Sequence, residues 1–172
     1  MVLKDEELAF LLKQTKLPPK QLGWLLEEER DFDLILEAVS KQSISKNKIR
    51  EKLNKFSHPF SVKYLLYRFN KDENVDIGIL SYLADTIIEY IPIIQKNQSF
   101  RKINGKLTED NGKYFLTASG IYRDELANQK LDYKNFVNFA AKCFINIGRQ
   151  NFARNIKNYS DLIYNFSLQK NL

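Results

Sequence analysis

The sequence predicts an all-α fold, and three observations carry that expectation. Apolar side chains recur at three- and four-residue spacing through most of the chain, which is the period of a helix. Only six glycines and four prolines occur in 172 residues, too few for the many tight turns of a β-sandwich or barrel. The most apolar stretch, "VDIGILSYLADTIIEYIPII", wraps a wide arc of a helix, as a central element does. With 44% hydrophobic residues, among them twelve Phe and nine Tyr, the chain has the material for a core. The expectation is one compact bundle of seven or eight helices spanning 1–172, with a soft division near 96–105 ahead of a C-terminal helix pair.

The elements follow in order. Residues 4–14 place Leu8, Leu11 and Leu12 on one side, and "LPPK" ends that helix. Pro19 suits the first turn of the next, which carries Leu22, Trp24, Leu25 and Leu26. A third helix near 31–41 has Phe32, Ile35, Leu36 and Val39 at helical spacing, with Asp31 or Asp33 at its positive end. The basic segment "SKNKIREKLNKF" at 45–56 puts Ile49, Leu53 and Phe56 in one narrow stripe flanked by lysines, the pattern of a solvated helix. After "SHPF", residues 61–69 supply Val62, Leu65, Leu66 and Phe69. The apolar helix follows, with Pro92 expected to end or kink it. Asn104-Gly105 and Asn111-Gly112 are tight-turn dipeptides, so a small β-hairpin is expected near 106–117. A short helix near 118–128 and two amphipathic helices, 133–147 and 150–168, complete the chain.

Ala141, Phe144, Gly148, Ala153 and Ser160 stand where a tetratricopeptide-type hairpin wants small residues and an aromatic. The last two helices loosely resemble one such hairpin. Lys157 and Asn165 occupy its second aromatic and its proline positions, and a single copy lacks the stacking of a repeat array. The resemblance implies an antiparallel helix pair and nothing more.

Catalysis finds little support. One histidine, His58, and one cysteine, Cys143, leave a single conceivable nucleophilic pair and no disulfide or thiolate metal site. Asp72, Glu73 and Asp76 lack the glycine and distal glutamate of a calcium loop. The acidic run Glu27, Glu28, Glu29, Asp31 and Asp33 reads as a solvated face. No phosphate loop, dinucleotide fingerprint or nucleophile elbow is present. The expectation is a protein that is not an enzyme and binds no cofactor or metal. The N-terminus lacks the basic-then-apolar pattern of a secretory signal, and no run of about 18 apolar residues suggests a membrane span. A cytoplasmic location follows as an expectation.

The net charge of +6 is uneven: residues 1–40 carry −4, 41–57 carry +5 and 133–172 carry +5. Two functions suit this. A protein-interaction module, docking a partner protein or a second copy, would use Trp24, Tyr64 and Tyr67 as anchors, since interface centres favour aromatics. The alternative is a nucleic-acid-binding regulator for DNA or RNA. It would use a helix-turn-helix-like region at 45–68 and the basic C-terminal helices. Its candidate contacts are Lys46, Lys48, Arg50, Lys52, Lys55, Lys63, Arg68, Arg149, Arg154 and Lys157.

Overall fold

The structure, a computed structural model, describes residues 3–27, 29–40, 58–69, 75–97, 99–103 and 105–170. Among them are ten helices and no strand: α1 (Asp5–Thr15), α2 (Pro19–Glu27), α3 (Glu29–Ser40), α4 (His58–Phe69), α5 (Ile77–Lys96), α6 (Glu109–Ile121), α7 (Arg123–Asn128), α8 (Tyr133–Asn146), α9 (Gln150–Arg154) and α10 (Ile156–Lys170). The all-α fold class holds. The basic segment at 45–56 lies outside the described residues, as do Asp72 and Glu73. The chain divides into two compact units, Met1–Asp85 and Thr86–Leu172. The boundary falls between Asp85 and Thr86, within α5, whereas the sequence places a soft division near 96–105, beyond that helix.

In the first unit α3 is the hub, packing on α1, α2 and α4. Phe10, Phe32, Phe60 and Tyr64 interlock through edge-to-face contacts, with Phe10 5.7 Å from Tyr64 and 6.2 Å from Phe60, the geometry that aromatic quadrupoles favour. α1 starts where the Lys4 backbone N–H donates to Glu7 Oε2 at 2.7 Å, the return half of a capping box. It stops at Lys16, which takes the left-handed conformation. α4 turns nearly all of itself inward: Phe60, Val62, Lys63, Tyr64, Leu65, Leu66 and Tyr67 are buried.

In the second unit α6 packs chiefly against α8 and α10. An aromatic chain runs through the core, with Phe115 5.1 Å from Phe136 and 4.8 Å from Phe139. The expected hairpin near 106–117 is instead the start of α6. The Thr108 hydroxyl accepts from the Asn111 backbone N–H, and Glu109 and Asp110 occupy the first turn, so this is a capped helix start. Gly112 is there for close approach: a Cβ would lie 3.1 Å from both Cys143 Cβ and Phe144 Cε2. The expected helix at 150–168 is split at Asn155, whose side chain donates to the Asn151 carbonyl and so competes with the helix ladder. Between α8 and α9, Gly148 takes φ +82°, while the Arg149 N–H returns to the Phe144 carbonyl at 2.8 Å, a Schellman-type stop.

α5 is long and apolar enough, by length and composition, to cross a membrane, which the sequence reading had not anticipated. Its Leu80, Leu83, Ile87, Ile91 and Ile94 are buried in protein, and Asp85 and Glu89 are exposed along it. Those burials are what the core helix of a globular unit requires.

Candidate docking groove and buried charge cluster

The loop at 99–108, ahead of α6, is tied down at both ends by side chains of the second unit. At its start, the Arg101 backbone N–H donates to Tyr114 Oη at 3.1 Å. The Arg101 guanidinium lies 4.4 Å over the Tyr114 ring and donates to Asp110 Oδ2 at 2.8 Å and Asn111 Oδ1 at 3.0 Å. At its end, Asn111 Nδ2 donates to the Lys106 carbonyl at 2.7 Å, and Asn146 Nδ2 donates to the Leu107 carbonyl at 2.8 Å. Asp110 also accepts from Tyr90 Oη at 2.7 Å. That hydrogen bond, and then Arg101, hold its carboxyl below the ordinary carboxylate range. Burial, and then Asp110, push the Tyr90 phenol up.

So fixed, the loop sets Ile103 beside α8. Ile103, Asn135, Asn138, Phe139 and Lys142 line a groove of about 340 Å³. Asn135, Asn138 and Lys142 sit at i, i+3 and i+7, hence on one helix face. Phe139 is the floor, 9% exposed, its ring engaged edge-on by Phe115. Ile103 is 39% exposed. Among the described residues, the amides of Asn135 and Asn138 have no hydrogen-bond partner, and Lys102, Lys106, Lys134 and Lys142 have no carboxylate at ion-pair distance. From 133 to 160 the sequence holds no Asp or Glu at all.

The first unit contains a different arrangement. Lys63, 4% exposed, donates to Asp33 Oδ1 at 3.1 Å and to Ser81 Oγ at 3.3 Å. Asp85 Oδ1 lies 3.6 Å away, and the Phe32 ring is 5.9 Å from the ammonium. Two carboxylates and a hydroxyl thus surround the buried Lys63 amine, the pairing that a buried charge requires. Tyr67 is buried in the same region, and desolvation followed by Asp33 pushes its phenol well above the ordinary value.

The predicted site residues fare differently. Trp24 is 71% exposed. Tyr64 and Tyr67, expected as interface anchors, are core instead, because α4 has little exposed surface. Lys63 is likewise withdrawn from any phosphate, and Arg68 is half-buried with Nη1 3.5 Å from Tyr64 Oη. The described part of region 45–68 therefore presents no groove-reading face. Lys46, Lys48, Arg50, Lys52 and Lys55 lie outside the described residues. Arg149 pairs with Glu109 at 3.3 Å and Lys157 with Asp161 at 3.3 Å. Arg154 is exposed, with no carboxylate beside it among the described residues. Asp33 is buried, which corrects the reading of 27–33 as a wholly solvated face. Cys143 is buried, and desolvation raises its thiol above the ordinary value, the opposite of an activated nucleophile.

Sequence reasoning missed the groove. A readable signal was present in the polar stripe Asn135, Asn138 and Lys142 within an acid-free run. No protein-family model matches the chain, and no curated protein or solved structure is detectably similar to it.

Proposed function

We propose that the chain is a non-catalytic protein-interaction module, an adaptor or regulatory subunit that docks a partner protein or a second copy of itself. The observation that carries this reading is Trp24. It stands on α2, 71% exposed, next to Gly23, where even an added Cβ would meet nothing within 4 Å. Leaving the largest apolar side chain in water loses the burial energy it would gain elsewhere, and such aromatics are the residues that anchor interfaces.

Trp24 is the only tryptophan, so its fluorescence reports on this position alone. At low concentration the emission should be that of an indole in water and should be strongly quenched by acrylamide. With rising concentration, or with partner, it should shift to the blue and become protected. Sedimentation of the wild type and of Trp24→Ala separates self-association from a heterologous partner. An emission already typical of a buried indole in the dilute monomer would remove the basis of the reading.

The nucleic-acid-binding alternative is supported by the acid-free run at 133–160, where Arg154 has no carboxylate neighbour among the described residues; its basic segment at 45–56 lies outside them. Mobility shift with generic DNA and RNA should then weaken steeply with salt. No shift at low salt would dispose of it.

A further inference from the structure

We propose that the groove lined by Ile103, Asn135, Asn138, Phe139 and Lys142 receives an extended, acidic peptide segment of a partner protein, with one apolar side chain seated between Ile103 and Phe139. This deepens the interaction-module reading and rests on it. It concerns the second unit, whereas Trp24 belongs to the first, so the two can fail separately.

Four features select this occupant. First, the groove is preformed: guanidinium, amide and phenol contacts fix the loop that carries Ile103, so ligand binding need not order it. Second, the unpartnered side chains of Asn135 and Asn138 each offer one carbonyl and one NH₂. That pair complements the N–H and C=O of an extended peptide backbone, which lacks internal partners. Third, the apolar part is one small surface, Ile103 against Phe139, within about 340 Å³. This is the low end of ligand-pocket volumes and suits a single side chain, not a large cofactor. Fourth, the charge is mostly positive, the one nearby acid on α8 being Asp132, whose carboxylate accepts from the Lys134 backbone N–H at the helix start. Lys142 lines the groove, Lys102 flanks Ile103, Lys106 ends the loop, and none of the three has a carboxylate neighbour among the described residues.

Single-stranded nucleic acid answers the charge but not the rest. It needs open aromatic faces for its bases. The one ring lining this groove, Phe139, is nearly buried and engaged by Phe115.

The test uses the full chain and a peptide array. Each peptide carries Asp or Glu at every position except one central residue, which is varied through the apolar amino acids. Matched neutral and lysine-rich arrays and a labelled oligouridylate complete the set of probes. The tightest acidic peptide should bind measurably by fluorescence anisotropy, and the basic array should not bind. Lys142→Glu and the double variant Asn135→Ala/Asn138→Ala should each weaken it roughly ten-fold, the scale of one charge contact or two modest hydrogen bonds. Both changes are at exposed positions, and circular dichroism checks that the fold is kept. Arg154→Glu, which is not among the lining residues, should weaken binding by no more than about two-fold, the scale of a screened charge.

Three results would overturn the proposal. One is an array without an acidic preference. Another is acidic binding that ignores the groove variants, and the third is tighter binding of oligouridylate than of any peptide. If acidic peptides fail while Trp24 still becomes protected on assembly, the groove assignment falls and the interaction-module reading stands.

Discussion

Gly120→Ala is the sharpest probe of how α6 packs on α10. In most exposed helix interiors this change stabilises, because alanine has the better helix propensity by about 1 kcal/mol. Here a Cβ would collide with Ile163 Cγ2 and lie 2.6 Å from Ile163 Cβ and 3.2 Å from the Ser160 carbonyl oxygen. Ile163 is fully buried and β-branched, so it cannot rotate out of the way without clashing elsewhere. The helices must separate locally, and overpacking of this kind costs about 1–3 kcal/mol. Part of that is offset by propensity, and the added strain on the Ser119–Ser160 hydroxyl contact at 2.9 Å opposes recovery. The net loss, up to about 2 kcal/mol, lowers Tm by up to about 8 °C in a chain of this length.

Thermal and urea unfolding measure the effect. The double variant Gly120→Ala/Ile163→Ala gives the control. Ile163→Ala alone should cost about 2–5 kcal/mol through its cavity, and the added methyl should partly fill that cavity, so the double loses less than the sum. Gly23→Ala, where nothing lies within 4 Å of the added Cβ, should stabilise by about 0.5–1 kcal/mol. If Gly120→Ala matches or exceeds the wild type, the α6–α10 contact is not as close as described.

Three further outcomes are expected. Lys63→Met should destabilise by about 3–5 kcal/mol because it strands Asp33 in the core, and Lys63→Met/Asp33→Leu should recover most of that loss; a double no better than the single, by urea unfolding, refutes the pairing. Asp110 titrates below its ordinary value when folded, so its contribution is present above the unfolded value of about 4 and is lost as pH falls through the lower folded one. Urea midpoints of the wild type and Asp110→Asn should therefore differ at neutral pH and converge in acid, and a gap constant with pH contradicts this. Cys143 should ignore a thiol reagent in the native protein and react at the rate of opening; immediate labelling without denaturant would show that it is not buried.

How much of this was legible in the sequence depends on range. Helix existence followed from local periodicity: α8 appears where Phe136 and Phe144 placed it, while the helix expected at 150–168 is divided into α9 and α10. Asn111-Gly112 misled because the same dipeptide serves a hairpin turn or a capped helix start. Only the approach of Cys143 and Phe144 explains why a glycine is needed there. The ion pair of Lys63 with Asp33 joins residues thirty positions apart, beyond the reach of any local pattern. Tyr64 and Tyr67 looked like surface anchors because interface centres favour aromatics, and nothing local says that α4 has core around most of its circumference. The groove needed both a stapled loop and a helix face. The sequence showed the face and hid the loop.

The division of charge between the units has a kinetic consequence. The first unit's 85 residues carry equal numbers of basic and acidic side chains, so the whole net charge of +6 belongs to the second. A negatively charged partner approaching by diffusion is thus attracted by the second unit's net charge before any contact forms. Such steering acts on the association rate, fades as the Debye length shortens, and leaves the dissociation rate nearly untouched. Adding salt should slow the arrival of an acidic partner far more than it hastens its departure.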